Sequence, residues 1–120
     1  MKIAFTTSGE TLEAPLDERF GRAPRFLVYD LDSNSFEIID NGQNVEAMQG
    51  AGVQAAETIS RTEVNSLVTG HCGPKAFRAL SAAGITVYNT DEPTVAAALE
   101  AFRKGKLTPA KSADIQGHRA

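Results

Sequence analysis

The stretch from residue 66 to residue 105 constrains the fold most, because it runs through the same pattern twice. Ser66 to Gly70 (SLVTG) is a short β-branched run that stops at glycine, and Ala76, Phe77, Leu80 and Ala83 then recur at helical spacing. Ile85 to Asn89 (ITVYN) is a second such run, followed by Val95, Ala98, Leu99 and Phe102 on one helical face before Gly105. Strand, helix, strand, helix in that order requires a crossover connection, so the two strands lie parallel in one sheet with helices packed on it. Local chemistry agrees with this reading. Pro74 suits a first helical turn and Gly84 the left-handed residue just past a helix end, while Asp91 or Glu92 can cap the last helix ahead of Pro93.

The first half of the chain completes the sheet. Lys2 to Thr7 (KIAFTT) reads as a buried first strand closed by Ser8-Gly9. Phe26 to Leu31 and Phe36 to Asn41 flank the turn residues Asp32-Ser33-Asn34-Ser35 and form a hairpin, residues 42–50 form a loop, and Ala51 to Arg61 forms a helix. The class is therefore α/β, a five-stranded mixed sheet in the order 3-2-1-4-5 with strand 1 central and helices on both faces. Residues 1–106 are expected to form one domain. Residues 107–120 are expected to be a mobile tail, having only Leu107 and Ile115 as large apolar anchors. In this topology the carboxyl ends of strands 1, 4 and 5 share one edge, so the loops at 8–25, 70–75 and 89–93 meet where open α/β sheets bind ligands.

Composition narrows the possible functions. A chain of 120 residues with 42% apolar and 22% charged residues suits one soluble domain. The single cysteine, Cys72, excludes an internal disulfide or a zinc site of several thiolates and fits a reducing, cytoplasmic setting. The N-terminus turns polar too soon for a signal peptide, and the longest uninterrupted apolar stretch, Val95 to Leu99, is far too short to span a membrane. The net charge of −3 argues against general nucleic-acid binding. It conceals a gradient, since residues 1–60 carry 4 basic and 10 acidic side chains and residues 61–120 carry 8 and 5.

Two segments could carry chemistry. The long connection from Ser8 to Arg25 contains Arg19-Phe20-Gly21-Arg22-Ala23-Pro24-Arg25, whose guanidiniums at three-residue spacing suit a compact polyanion. The same arginines also read as solvated surface paired with Asp17 and Glu18. Gly70-His71-Cys72-Gly73-Pro74-Lys75 puts an imidazole, a thiol and an amine at a strand-to-helix turn, where free N–H groups and the helix dipole favour an anion. That field is expected to lower the Cys72 pKa and make thiolate available, so Cys72 and His71 are candidate metal ligands. The competing reading makes Cys72 a small buried hydrophobe and His71 an exposed turn residue. The turn lacks the spacing of a phosphate-binding P-loop, strand 1 lacks the carboxylates of a two-metal nuclease, and no nucleophile-elbow signature supports a hydrolase built on Ser8, His71 and Asp17.

FGRAPRF at 20–26, GHCGPKAFRAL at 70–80, AGITVYNT at 83–90 and ADIQGH at 113–118, in that order, resemble the dinitrogenase iron–molybdenum cofactor biosynthesis family. That family includes the carriers NifX and NafY, the C-terminal domain of NifB and small stand-alone proteins. The resemblance implies a ribonuclease H-like fold and non-catalytic binding, carriage or storage of a molybdenum-containing metal–sulfur cluster. It extends to the orange protein of sulfate-reducing bacteria, which holds a molybdenum–copper sulfide cluster without covalent attachment. Cluster-binding residues are then expected at Ser8, Arg19, Phe20, Gly21, Arg22, Arg25, Gly70, His71, Cys72, Gly73, Pro74 and Lys75. The expected partners are the cluster and a donor or recipient protein, with no nucleic acid or membrane. Many members have His where this chain has Arg19, and Trp where Arg119 follows Gly117-His118. The alternatives are a binding module for a small organic anion or nucleotide and a redox protein acting through Cys72.

Overall fold

The structure is a computed structural model and describes residues 1–42 and 50–111. Its elements are β1 (Lys2–Thr7), β2 (Arg25–Asp30), β3 (Ser35–Asp40), α1 (Ala51–Ser60), β4 (Ser66–Thr69), α2 (Pro74–Ala82), β5 (Thr86–Asn89) and α3 (Val95–Arg103). The sheet order is β3-β2-β1-β4-β5, with β1 central, antiparallel to β2 and parallel to β4, as the sequence predicts.

Alternation along each strand sorts the core into two layers. Ala4, Phe26, Val28, Leu67 and Val87 face Ala55, Ala56 and Ile59 of α1 and Ala76 and Leu80 of α2. Ile3, Phe5, Leu27, Tyr29 and Val68 face Val95, Ala98 and Leu99 of α3. Helices thus cover both faces. Gly84 and Gly105 end α2 and α3 with φ of 80° and 70°, a conformation in which a side chain would be strained.

Two expectations change. The N-cap of α3 is Thr94, whose hydroxyl accepts from the Ala97 N–H at 3.1 Å, rather than Asp91 or Glu92. The chain also stays on the body past Lys106. Leu107 packs with the α3 layer, Pro109 bridges to Tyr88, and the Ala110 N–H donates to the Val87 carbonyl at 2.8 Å. Residues 112–120, the rest of the expected tail and the seat of the ADIQGH motif, lie outside the described residues, as do residues 43–49 of the expected 42–50 loop. Among the described residues no helix is long and apolar enough to cross a membrane.

Candidate functional site

The long loop after β1 is fixed to the sheet edge by backbone pairing. The Thr6 hydroxyl donates to the Asp17 carbonyl at 2.7 Å, and the Thr7 hydroxyl to that of Pro15 at 2.8 Å. Leu16 N–H donates to Pro93 O, His71 N–H to Glu18 O, and Phe20 N–H to His71 O. The three loops expected to meet therefore do so, tied by hydrogen bonds across the ends of β1, β4 and β5. Gly70 makes this approach possible, because a Cβ there would lie 2.7 Å from the Glu18 carbonyl oxygen.

Alternation within the paired segments decides which side chains reach the surface. Phe20 turns inward, with its ring centroid 5.7 Å from that of Phe26, while Arg19 and Arg22 on either side of Phe20 and Gly21 remain accessible. Cys72 also turns inward and is 1% exposed within the α1/α2 core layer, whereas His71 keeps access to solvent. Burial pushes the Cys72 thiol up to about 12. This reverses the expected direction. The dipole of α2 acts on a side chain that points away from water, and the desolvation of a thiolate there outweighs it.

A cleft of about 490 Å³ opens beside this turn. Its charged lining is Arg19, Arg22 and Lys75, with His71 at one side, and among the described residues no carboxylate lines it. Its apolar wall is formed by Phe20, Ala51, Val53, Pro74 and Ala76. The first turns of α1 and α2 both border it. Neither helix has a side-chain N-cap or an acidic residue in its first turn, so both positive dipole ends add to the three cationic side chains. The approach of the arginine loop to α1 depends on glycine, since a Cβ on Gly21 would lie 2.8 Å from the Gly52 nitrogen.

The cleft gathers Arg19, Phe20, Gly21, Arg22, His71, Gly73, Pro74 and Lys75 of the expected set. It leaves out Ser8, Arg25, Gly70 and Cys72. The Arg25 guanidinium donates to the Ser8 carbonyl at 2.9 Å and pairs with Glu10 at 3.4 Å, so Ser8 and Arg25 serve to brace the start of the loop. Gly70 lines a neighbouring cleft of about 610 Å³, which His71 also borders and whose charged residues are Glu18, Asp91 and Glu92. Among the described residues, no three His, Cys, Asp or Glu side chains are grouped to hold a metal ion.

Sequence reasoning missed the α1 border of the cleft, Gly50 to Val53. The glycines at 50 and 52 were its only trace, since a helix start carries no signal of what it faces. It also missed Asn41, which is fully buried beyond β3 and reaches under the arginine loop. Its Nδ2 donates to the Ala23 carbonyl at 2.7 Å and the Gly21 carbonyl at 3.4 Å.

Comparison with known proteins follows the same outline. The chain superposes on the apo form of the orange protein from Desulfovibrio gigas with a TM-score of 0.92 and 39% identity, covering 95% of this chain and 96% of that one. It superposes on a Thermotoga protein proposed to be NifB with a TM-score of 0.84 and 29% identity, covering 97% and 98%. An uncharacterized protein of Methanocaldococcus jannaschii is 29% identical over 110 residues, 89% of each chain. The sequence pattern described as dinitrogenase iron–molybdenum cofactor matches residues 1–105, and the chain belongs to that family.

Proposed function

We propose that the cleft between the first turns of α1 and α2 holds an anionic molybdenum-containing metal–sulfur cluster, non-covalently, for carriage or storage. The observation that carries this reading is the lining itself, in which Arg19, Arg22 and Lys75 meet the first turns of α1 and α2, neither of which has a side-chain cap or an acidic residue. Thiometallate clusters are multiply charged anions with soft, polarisable sulfide surfaces, and the wall formed by Phe20, Val53, Pro74 and Ala76 offers such a surface apolar contact. The family description and the similarity to the orange protein favour a cluster over an organic anion or nucleotide.

Coordination by Cys72 has no part in this mechanism. Cys72 is 1% exposed, packs in the α1/α2 core layer and is not part of the cleft lining, so cargo seated in the cleft does not meet its sulfur. His71 is the remaining candidate ligand from the sequence, placed at the edge of the cleft where it can touch the cargo. Holding by charge and packing lets the cluster leave intact to a recipient protein, which covalent ligation would hinder. The test is anaerobic incubation with tetrathiomolybdate and copper, followed by gel filtration and metal analysis. The wild-type chain is expected to retain molybdenum and copper with intense sulfide-to-metal absorption. The Arg19→Gln/Arg22→Gln/Lys75→Gln variant is expected to retain little of either. Equal retention by the two proteins would exclude this cleft as the site.

A further inference from the structure

The two edges of the sheet are finished differently. At β5 the chain returns along the open side, with Pro109 bridging to Tyr88 and the Ala110 N–H bonded to the Val87 carbonyl. Proline at an edge removes a donor and blocks further pairing. β3 is the other edge. Among the described residues no segment pairs with its outer side, and it contains neither proline nor lysine. It presents Phe36, 39% exposed, and the half-buried Ile38 and Ile39.

The direction of the unpaired groups can be read from the ladder. The Asn41 N–H donates to the Pro24 carbonyl across the β2–β3 pair, so N–H and C=O groups of odd-numbered β3 residues point toward β2. The Leu31 N–H, bonded to the Met1 carbonyl, gives the same parity from the other side of β2. Phe36, Ile38 and Asp40 therefore point their backbone groups outward.

We infer that β3 is a homodimerisation edge, two copies joining antiparallel about a twofold axis through Ile38. Only residues of that outward set can exchange ladder bonds across the axis, which leaves few registers. Centring on Ile38 sets Ile38 against its twin and Phe36 against Asp40 of the second copy, so every outward residue enters the ladder. It also sets Glu37 against Ile39. Moving the axis to Glu37 drops Asp40 from the ladder and puts two carboxylates directly opposite, a destabilising arrangement. Moving it to Ile39 places Phe36 opposite Gly42, beyond the strand. A second copy fits this edge because the strand complements itself in the one register that uses all its free groups. The paired copies would form one continuous sheet.

A six-residue edge makes a small interface, so association is expected to be weak, with dimer appearing over roughly 10 μM to 1 mM. Sedimentation velocity of the full chain across that range tests this. Ile38→Lys sets like charges face to face at the axis and should leave a folded monomer by far-UV circular dichroism. Asp40→Pro changes an exposed residue and removes an outward N–H together with the carboxylate that accepts from the Gly42 N–H at 3.0 Å; it should weaken dimerisation at least tenfold where Asp40→Ala, which loses only that carboxylate, does not, and the pair decides the matter if Ile38→Lys fails to fold. Phe36→Lys, placed opposite Asp40 of the second copy, should keep or tighten the dimer. A wild-type chain that stays monomeric up to 1 mM, or a dimer indifferent to Asp40→Pro, overturns the inference.

Discussion

Replacing Asn41 by alanine tests whether the end of β3 holds the cleft together. The Asn41 side chain is wholly buried and donates to the carbonyls of Ala23 and Gly21, while its backbone N–H donates to Pro24 at 2.8 Å. Truncation takes the 2.7 Å donor away from the carbonyl of Ala23, itself a fully buried residue. An unmet buried acceptor costs about 1–3 kcal/mol, and the void left by the amide adds to it. The expected loss of about 2–4 kcal/mol corresponds to a fall in the thermal midpoint of roughly 10 °C for a chain of this size. Denaturant unfolding followed by circular dichroism measures it. The second effect is local, because Gly21 and Arg22 ride on the released segment. Tetrathiomolybdate binding by calorimetry should weaken about tenfold, equivalent to about 1.4 kcal/mol, at a temperature where the variant is still folded. A variant within about 0.5 kcal/mol of wild type would refute the hydrogen-bond argument. Lost stability with unchanged binding would refute the positional one.

Other perturbations have expected outcomes of their own. Gly21→Ala drives a Cβ to 2.8 Å from the Gly52 nitrogen, backbone against backbone, and should cost about 1–3 kcal/mol, whereas Gly73→Ala meets nothing within 4 Å and should stay within about 0.5 kcal/mol, both read by denaturant unfolding. Cys72 should resist thiol reagents at pH 8 in the folded chain and react only after unfolding. Because the folded thiol holds its proton up to about pH 12 and the unfolded one releases it near 9, this group's contribution to stability should fall as pH rises above 9, at a slope of up to about 1.4 kcal/mol per pH unit. Cys72→Ala should lack that component of the alkaline decline. Thr94→Ala removes the α3 cap and should cost about 1 kcal/mol in thermal or denaturant unfolding.

The sheet was legible because short apolar and β-branched runs, the Asp32 to Ser35 turn and the Pro74, Gly84 and Gly105 boundaries all agree on one topology. The meeting of the loops followed from strand order alone. Side-chain direction within those loops did not follow, since it depends on backbone pairings between distant residues. The bridge of Arg19 to His71 sets Phe20 and Cys72 inward, and no local rule reports it. Arg25 looked equivalent to Arg19 and Arg22 by spacing, yet the loop path brings Glu10 and the Ser8 carbonyl beside it. The Thr94 cap was masked by two acidic residues that compete for the same role on composition.

In the proposed mechanism charge and packing, without the thiol, hold the cargo. The most direct measurement is the molybdenum and copper content, after gel filtration, of Cys72→Ser and of Arg19→Gln/Arg22→Gln/Lys75→Gln loaded side by side with tetrathiomolybdate and copper, both variants first shown to be folded. Near wild-type metal in Cys72→Ser, lost progressively as salt screens the exposed charges, with little metal in the triple variant, is the predicted result. Loss of metal in Cys72→Ser together with full loading of the triple variant would contradict it.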